Sequence, residues 1–179
     1  FFAFINATAD PVGITADYLA ASMNPNCWGG AHAAIHVENE VMRWIAEIVG
    51  YPRDAEGILV SGGSMANFTA LAAARRAMTP GNVREDGLAG DGRPILTVYA
   101  SDQVHHCVDK AVDLLGIGMR NLRKIPTDER FRIRIDLLEA AIERDRRAGL
   151  TPAIVVGNAG TVNTGAIDPL EELSRLARK

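Results

Sequence analysis

Ile95-Leu96-Thr97-Val98-Tyr99-Ala100-Ser101-Asp102-Gln103-Val104-His105-His106 is the stretch from which the fold can be read. Its first five residues, Ile95–Tyr99, are a short apolar, β-favouring run of the kind buried inside a sheet. Polar residues break the run, and helical spacing of apolar positions then continues from Gln103 to Leu115. The same succession recurs on either side. Ile58-Leu59-Val60 reads as a short strand that passes through Gly62-Gly63 into a helix from Ser64 to about Met78. Asn121–Ile125 is a further strand, followed by a helix over Asp136–Ala148 with an Asp at its start. Ala153–Val156 is the last strand, ahead of a helical pattern from Pro169 to Lys179. Strands that alternate with helices pair in parallel, so the expected fold class is a layered α/β architecture with a mostly parallel sheet.

Upstream, Ile14–Met23 and Val37–Val49 carry helical spacing, with a loop between them over Asn24–Ala34 and a break at Tyr51-Pro52. The segment Thr79–Arg93 holds four glycines and reads as a surface loop. The expected organisation is an N-terminal helical segment, 1–50, and the first part of a larger ligand-binding domain, 51–179. No initiator Met is present, and the terminal helix pattern has no cap, so the chain reads as an internal piece of a longer protein.

With 179 residues, 47% hydrophobic and 23% charged, the composition is that of an ordinary globular domain. A net charge of -3 argues against nucleic acid as the main partner, because phosphate neutralisation needs a basic face. No apolar run approaches the roughly 20 residues of a membrane span. Phe1-Phe2-Ala3-Phe4-Ile5 has no basic region before it and does not read as a secretion signal. The two cysteines, Cys27 and Cys107, form no disulfide framework, which fits a reducing, cytoplasmic setting.

Three segments carry chemistry. In Ser61-Gly62-Gly63-Ser64-Met65-Ala66-Asn67, glycines let a ligand approach the backbone while the first helical amides point outward unpaired, an arrangement suited to an anion. Ser64 can add a hydroxyl, or it can simply cap the helix; the two readings are evenly matched on the residues alone. The pattern is neither the phosphate loop of nucleotide hydrolases nor a dinucleotide fingerprint. His105 follows a strand end, where parallel sheets bind ligands, although position alone favours a surface or capping histidine. His106 and Cys107 beside it, and His32 with His36 four residues on, lack the further ligands of a metal site, and no metal is expected. In Gly160-Thr161-Val162-Asn163-Thr164-Gly165-Ala166-Ile167-Asp168-Pro169, Thr161 has a hydroxyl placed to reach the same crevice. Asp168 reads as a helix cap ahead of Pro169, with Glu171 and Glu172 in the first turn.

Taken in this order, the three segments resemble the pyridoxal-phosphate-dependent group II amino-acid decarboxylases. The resemblance runs from the opening Phe1-Phe2 through Glu38-Asn39-Glu40 to Gly165-Ala166-Ile167-Asp168-Pro169. Ser101-Asp102-Gln103-Val104-His105, with Asp109-Lys110-Ala111 after it, is most similar to the aromatic amino-acid branch. The resemblance implies an aspartate-aminotransferase-type (fold type I) three-layer large domain, here incomplete, and a homodimer with active sites at the subunit interface. It implies pyridoxal 5'-phosphate as cofactor and loss of carbon dioxide from an L-amino acid as the reaction. By position, Gly63 and Ser64 would bind the cofactor phosphate. His105 would stack on the cofactor ring and contact the substrate carboxylate, and Thr161 would sit beside the ring. Asn6-Ala7 stands where aromatic decarboxylases carry a Pro-Thr pair, which places Ala7 at a substrate-contacting position. Ala34 replaces the Pro that commonly precedes the acidic helix. Lys110, Lys124 and Lys179 are the lysines of the chain, and none matches the family's Schiff-base lysine; its ring-nitrogen acid has no counterpart here either. Other lyases of this fold, aldehyde-forming decarboxylases, and a non-catalytic truncated homologue remain open. An unrelated nucleotide-binding domain built on the Ser61–Asn67 turn is the more distant alternative.

Overall fold

The computed structural model describes residues 8–24, 32–52, 54–88, 90 and 92–178. They fall into two compact units, one of the described residues up to Ser61 and the other of those from Gly62 onward.

The first unit is helical. Helix α1, Pro11–Met23, starts at Asp10, whose carboxylate accepts hydrogen bonds from the amides of Val12 and Gly13 at 2.9 and 3.1 Å. Proline at the first helical position completes the start signal. Helix α2, Ala33–Val49, stops at Gly50, which takes the left-handed conformation (φ +73°) that glycine adopts without steric cost. The apolar run Ile58–Val60 is not a strand. A strand needs a neighbour, and here the Leu59 amide donates instead to the Glu38 carboxylate at 3.1 Å, leaving Ile58 and Leu59 exposed.

The second unit is α/β. Helix α3 spans Gly62–Met78, and a single helical turn, α4, covers Val83–Asp86 inside the expected loop. Strand β1 (Leu96–Ser101), helix α5 (Cys107–Leu114), strand β2 (Leu122–Ile125), helix α6 (Ile135–Arg147), strand β3 (Thr151–Val156) and helix α7 (Leu170–Ala177) follow. The sheet among the described residues has the order β2-β1-β3, and both pairings are parallel.

Alternation along β1 sorts the core into two layers. Val98 and Ala100 pack with Leu71 of α3, with Val108, Ala111 and Val112 of α5, and with Ile154 and Val156 of β3. Tyr99 faces the other way, onto Leu138, Ala141 and Ile142 of α6 and Leu173 of α7. Each such Val, Leu or Ile side chain contributes about 1.5–3 kcal/mol by leaving water. Helices on both faces of a parallel sheet make the three-layer arrangement expected from the sequence.

Polar groups also stitch the second layer. The Tyr99 hydroxyl donates to Asp145 Oδ2 at 2.8 Å and bonds the Thr97 hydroxyl at 2.9 Å. Arg123 grips the same carboxylate through Nε and Nη2 at 2.9 and 3.1 Å. The cluster joins β1, β2 and α6, and no local sequence signal announces it.

Helix α6 lacks a side-chain cap: Arg134 occupies the cap position, and Asp136 sits in the first turn, paired with the Arg134 guanidinium. Among the described residues no helix is long and apolar enough to cross a membrane.

Candidate active site

The connection from β1 to β2 runs through α5 on one face of the sheet, and that from β2 to β3 through α6 on the other. The chain leaves β1 toward α5 on one face and β3 toward α7 on the other, and the space beyond their carboxyl ends is the usual ligand position in such sheets. A side-chain bridge spans it: Asn158, two residues past β3, donates from Nδ2 to Ser101 Oγ at the end of β1, 3.0 Å away.

Helix α3 points its amino end at the same place. Asn67, near its start, donates to Cys107 Sγ at the start of α5 (3.3 Å), and Arg75, near its finish, donates to the Leu115 carbonyl just past the end of α5 (2.7 Å). The two helices thus run side by side in one direction, and α5 begins where β1 ends. Gly62 opens α3 with a left-handed φ of +79°. A Cβ at Gly62 or Gly63 would meet nothing within 4 Å. The first turn of α3 holds no acidic residue, so its unpaired amides and the positive end of the helix dipole are uncompensated. Ser64 is the third residue of α3 and therefore not its cap. It lines an apolar groove of about 230 Å³ between α3 and α5, together with Met65, Phe68, Cys107 and Lys110.

Residues 102–106 form a turn in place of the first helical turn expected from the sequence. The Val104 amide bonds the Ser101 carbonyl at 3.1 Å, and α5 starts only at Cys107. His105 is exposed on this turn, and its Nδ1 accepts a hydrogen bond from the Cys107 amide at 3.2 Å. The ring therefore serves the helix start with one nitrogen and leaves Nε2 unengaged by the described residues. His106 is exposed beside it, 3.7 Å from the Asp109 carboxylate. Cys107 is buried and not in a disulfide.

Thr161 is 4% exposed, inside a small closed loop past β3. Its amide bonds the Ala166 carbonyl at 3.0 Å, and its hydroxyl is 2.6 Å from that of Thr164 and accepts from the Ala166 amide at 3.2 Å. The hydroxyl that the sequence offers to a ligand is thus occupied within its own loop. Ala7 lies outside the described residues, as does Cys27.

Asp168 is not a cap. Pro169 occupies the cap position of α7, and Asp168, 2% exposed, turns inward. Its carboxylate accepts from the Ile133 amide at 2.7 Å, and from the Asn158 amide and Asn158 Nδ2, both at 2.8 Å. It therefore holds the residue that bridges to Ser101. Sequence reasoning overlooked Ser101 and Asn158; each is a polar residue closing or following a buried strand, and that position was the available signal. Replacing Asp168 with alanine removes the acceptor of three hydrogen bonds, one buried and two part-buried, and hydrogen bonds to a charged group are worth about 1.5–3 kcal/mol each. Urea unfolding is expected to show a loss of about 3 kcal/mol, with faster amide exchange at Ile133 and Asn158. A loss below about 1 kcal/mol would show that the carboxylate is dispensable.

Lys110 is exposed on α5, and Lys124 at the end of β2 is paired with Asp109 at 3.0 Å. Among the described residues no three metal-binding side chains gather.

Comparison with known proteins gives one consistent answer. The family model described as the pyridoxal-dependent decarboxylase conserved domain matches residues 1–179. The chain is 39% identical over 178 residues to the aromatic-L-amino-acid decarboxylase of Bacillus atrophaeus, covering 98% of this chain and 35% of that protein. It is 33% identical over 186 residues to the phenylacetaldehyde synthase of Petunia hybrida, covering 100% of this chain and 36% of that protein. The apo crystal structure of mouse CSAD superposes with a TM-score of 0.91 at 27% identity, over 99% of this chain and 37% of that one. The chain spans about a third of the length of the curated relatives it matches. It belongs to the pyridoxal-dependent decarboxylase family, as a stretch of the α/β domain on which that family's fold is built.

Proposed function

We propose that this chain supplies the phosphate-binding and ring-stacking part of an enzyme that releases carbon dioxide from an L-amino acid and leaves the amine. The observation that supports it most directly is the meeting of two features at one end of the sheet. The open glycine start of α3 and the His105 turn both lie beyond the carboxyl end of β1.

The family's cofactor is pyridoxal phosphate, and the residues present fit it. The Gly62-Gly63 turn leaves open space where a side chain would stand, and the α3 amides offer donors to a phosphate. Gly63 and Ser64 are assigned to that phosphate. Bound pyridoxal phosphate supplies an electron sink for the charge left as carbon dioxide departs. The protein's share is placement. His105 is assigned to the face of the ring and to the substrate carboxylate, which is positioning more than proton transfer. Thr161 is assigned a place beside the ring, with its closed loop shaping the wall. Ala7 and the helical segment 1–50 are assigned to the substrate pocket and to the interface of a homodimer. The protein is assigned to the cytoplasm, in keeping with its few cysteines.

A product assay tests the reaction. The complete enzyme, loaded with pyridoxal phosphate and given aromatic and acidic L-amino acids, should yield carbon dioxide and a primary amine. Release of an aldehyde would overturn that assignment in favour of the aldehyde-forming reading, which the match to the phenylacetaldehyde synthase supports. The site assignment is tested on the 179-residue chain by borohydride reduction with pyridoxal phosphate and peptide mapping. Labelling should be scattered and substoichiometric. A stoichiometric adduct on Lys110, which shares the groove with Ser64, or on Lys124 would mean that the cofactor sits elsewhere.

A further inference from the structure

His105 is doing two things at once, and the first constrains the second. Its Nδ1 accepts the Cys107 amide at 3.2 Å, and a nitrogen that accepts a hydrogen bond carries no proton. In a neutral imidazole the other nitrogen must then be the N–H. We propose that the Cys107 backbone amide locks neutral His105 as the Nε2–H tautomer. The ring then presents a hydrogen-bond donor to the crevice at the end of β1, and Asn67 is the positioning residue that keeps the amide aimed. The inference rests on the reading of His105 as a site residue.

The supporting geometry is local and specific. Cys107 is the first residue of α5, so its amide has no acceptor within the helix; a histidine two residues back satisfies it. Cys107 is itself buried and held by a second contact, because Asn67 Nδ2 donates to its Sγ at 3.3 Å. Asn67 stands on α3, four residues after Gly63, which is assigned to the phosphate. One side chain thus ties the start of the anion-binding helix to the group that sets the histidine tautomer. A donor at Nε2 suits an oxygen-rich partner such as a carboxylate and rejects another N–H. His106, exposed and 3.7 Å from a carboxylate, has no comparable anchor among the described residues.

The tautomer is directly observable. In protein labelled with 15N-histidine, at a pH well above the ordinary histidine range, His105 should show a protonated, pyrrole-type Nε2 and an unprotonated Nδ1, with no detectable second form. Its signals are identified by their loss in His105→Gln. The Cys107 amide should exchange about tenfold more slowly than in His105→Ala, the size of one modest hydrogen bond. Asn67→Ala and Cys107→Ala should each restore a mixture of both tautomers. Cys107→Ser, which keeps an acceptor for Asn67, should retain the single form. A protonated Nδ1 in the wild-type protein overturns the lock, and an unchanged single tautomer in Asn67→Ala overturns the role of Asn67. Neither result depends on cofactor or turnover, so either would leave the proposed reaction standing. Failure of the product assay, conversely, would leave the tautomer untouched.

Discussion

His105→Ala in the complete enzyme is expected to lower turnover about a hundredfold while leaving cofactor content nearly unchanged. The two quantities separate because they rest on different parts of the site. Retention of the cofactor is assigned to the amides and hydroxyl at the start of α3, which the substitution does not touch. In the proposed site the histidine is assigned a flat surface and a donor that hold the reacting groups in register, and misplacement by about 1 Å is enough to cost a hundredfold. Alanine also deprives the Cys107 amide of its acceptor, a loss of about 1 kcal/mol, comparable to removing a helix cap. His105→Asn separates the two effects. Its short carbonyl can still accept from a first-turn amide, so the helix start should survive while the ring is lost. Both variants should therefore be slow, and only alanine should be less stable. Turnover within about twofold of the wild type in either would remove His105 from the reaction.

Asp145→Ala is expected to be among the most damaging single changes to the fold, destabilising it by about 3 kcal/mol, the lower end of the range for breaking one partner out of a buried ion pair, because the Arg123 side chain is partly exposed. That is a large part of the roughly 5–15 kcal/mol by which domains of this kind are stable. Asp145 is 3% exposed, and its carboxylate is the common acceptor for the Arg123 guanidinium and the Tyr99 hydroxyl. Removing it takes the shared acceptor from a partly buried guanidinium and leaves the Tyr99 hydroxyl with Thr97 alone. Arg123→Ala/Asp145→Ala should cost less than the sum of the two single changes, because the stranded charge is then gone. Urea titration of the four proteins measures the difference, and simple additivity would show that the pair acts as a surface ion pair.

The same cluster makes stability depend on pH at both ends. Burial alone would raise the Asp145 carboxyl. The Arg123 and Tyr99 hydrogen bonds and the Arg123 charge outweigh it and hold the carboxyl below its ordinary value. A lowered carboxyl stabilises the fold above its unfolded pKa, and that contribution disappears as pH falls through the folded value. Tyr99 behaves in the opposite sense. Burial foremost, with the Asp145 carboxylate adding to it against the Thr97 hydrogen bond, pushes its hydroxyl up to about 12. Its contribution is complete below the ordinary tyrosine value near 10 and is lost as pH rises toward 12. Tyr99→Phe should therefore lose stability at neutral pH yet show a flatter alkaline limb.

How far the sequence carried these conclusions varies with the range of the interactions involved. β1, β2, β3 and the helices between them were legible because a buried strand and an amphipathic helix each leave a pattern within a few residues. The glycine turn before α3 and the histidine after β1 were legible for the same reason, and their order along the chain pointed to the family. The start of α5 was misjudged by four residues, since polar residues with helical spacing look alike whether they form a turn or a first helical turn. Ile58–Val60 has strand composition, but composition supplies no partner.

What local sequence determined by itself was the class of fold, the alternation of strand and helix, and the few residues whose chemistry suits a phosphate and a ring. Tertiary structure alone decided where their hydrogen bonds go. Asp168 has every local mark of a helix cap, yet its carboxylate serves Ile133, 35 residues away, and Asn158. Thr161 spends its hydroxyl on its own loop, and Tyr99, Arg123 and Asp145 meet only once β1, β2 and α6 have packed. Periodicity records which face of an element is buried. It carries no record of which distant donor will need an acceptor, because that need arises only when folding has removed the water that would otherwise meet it.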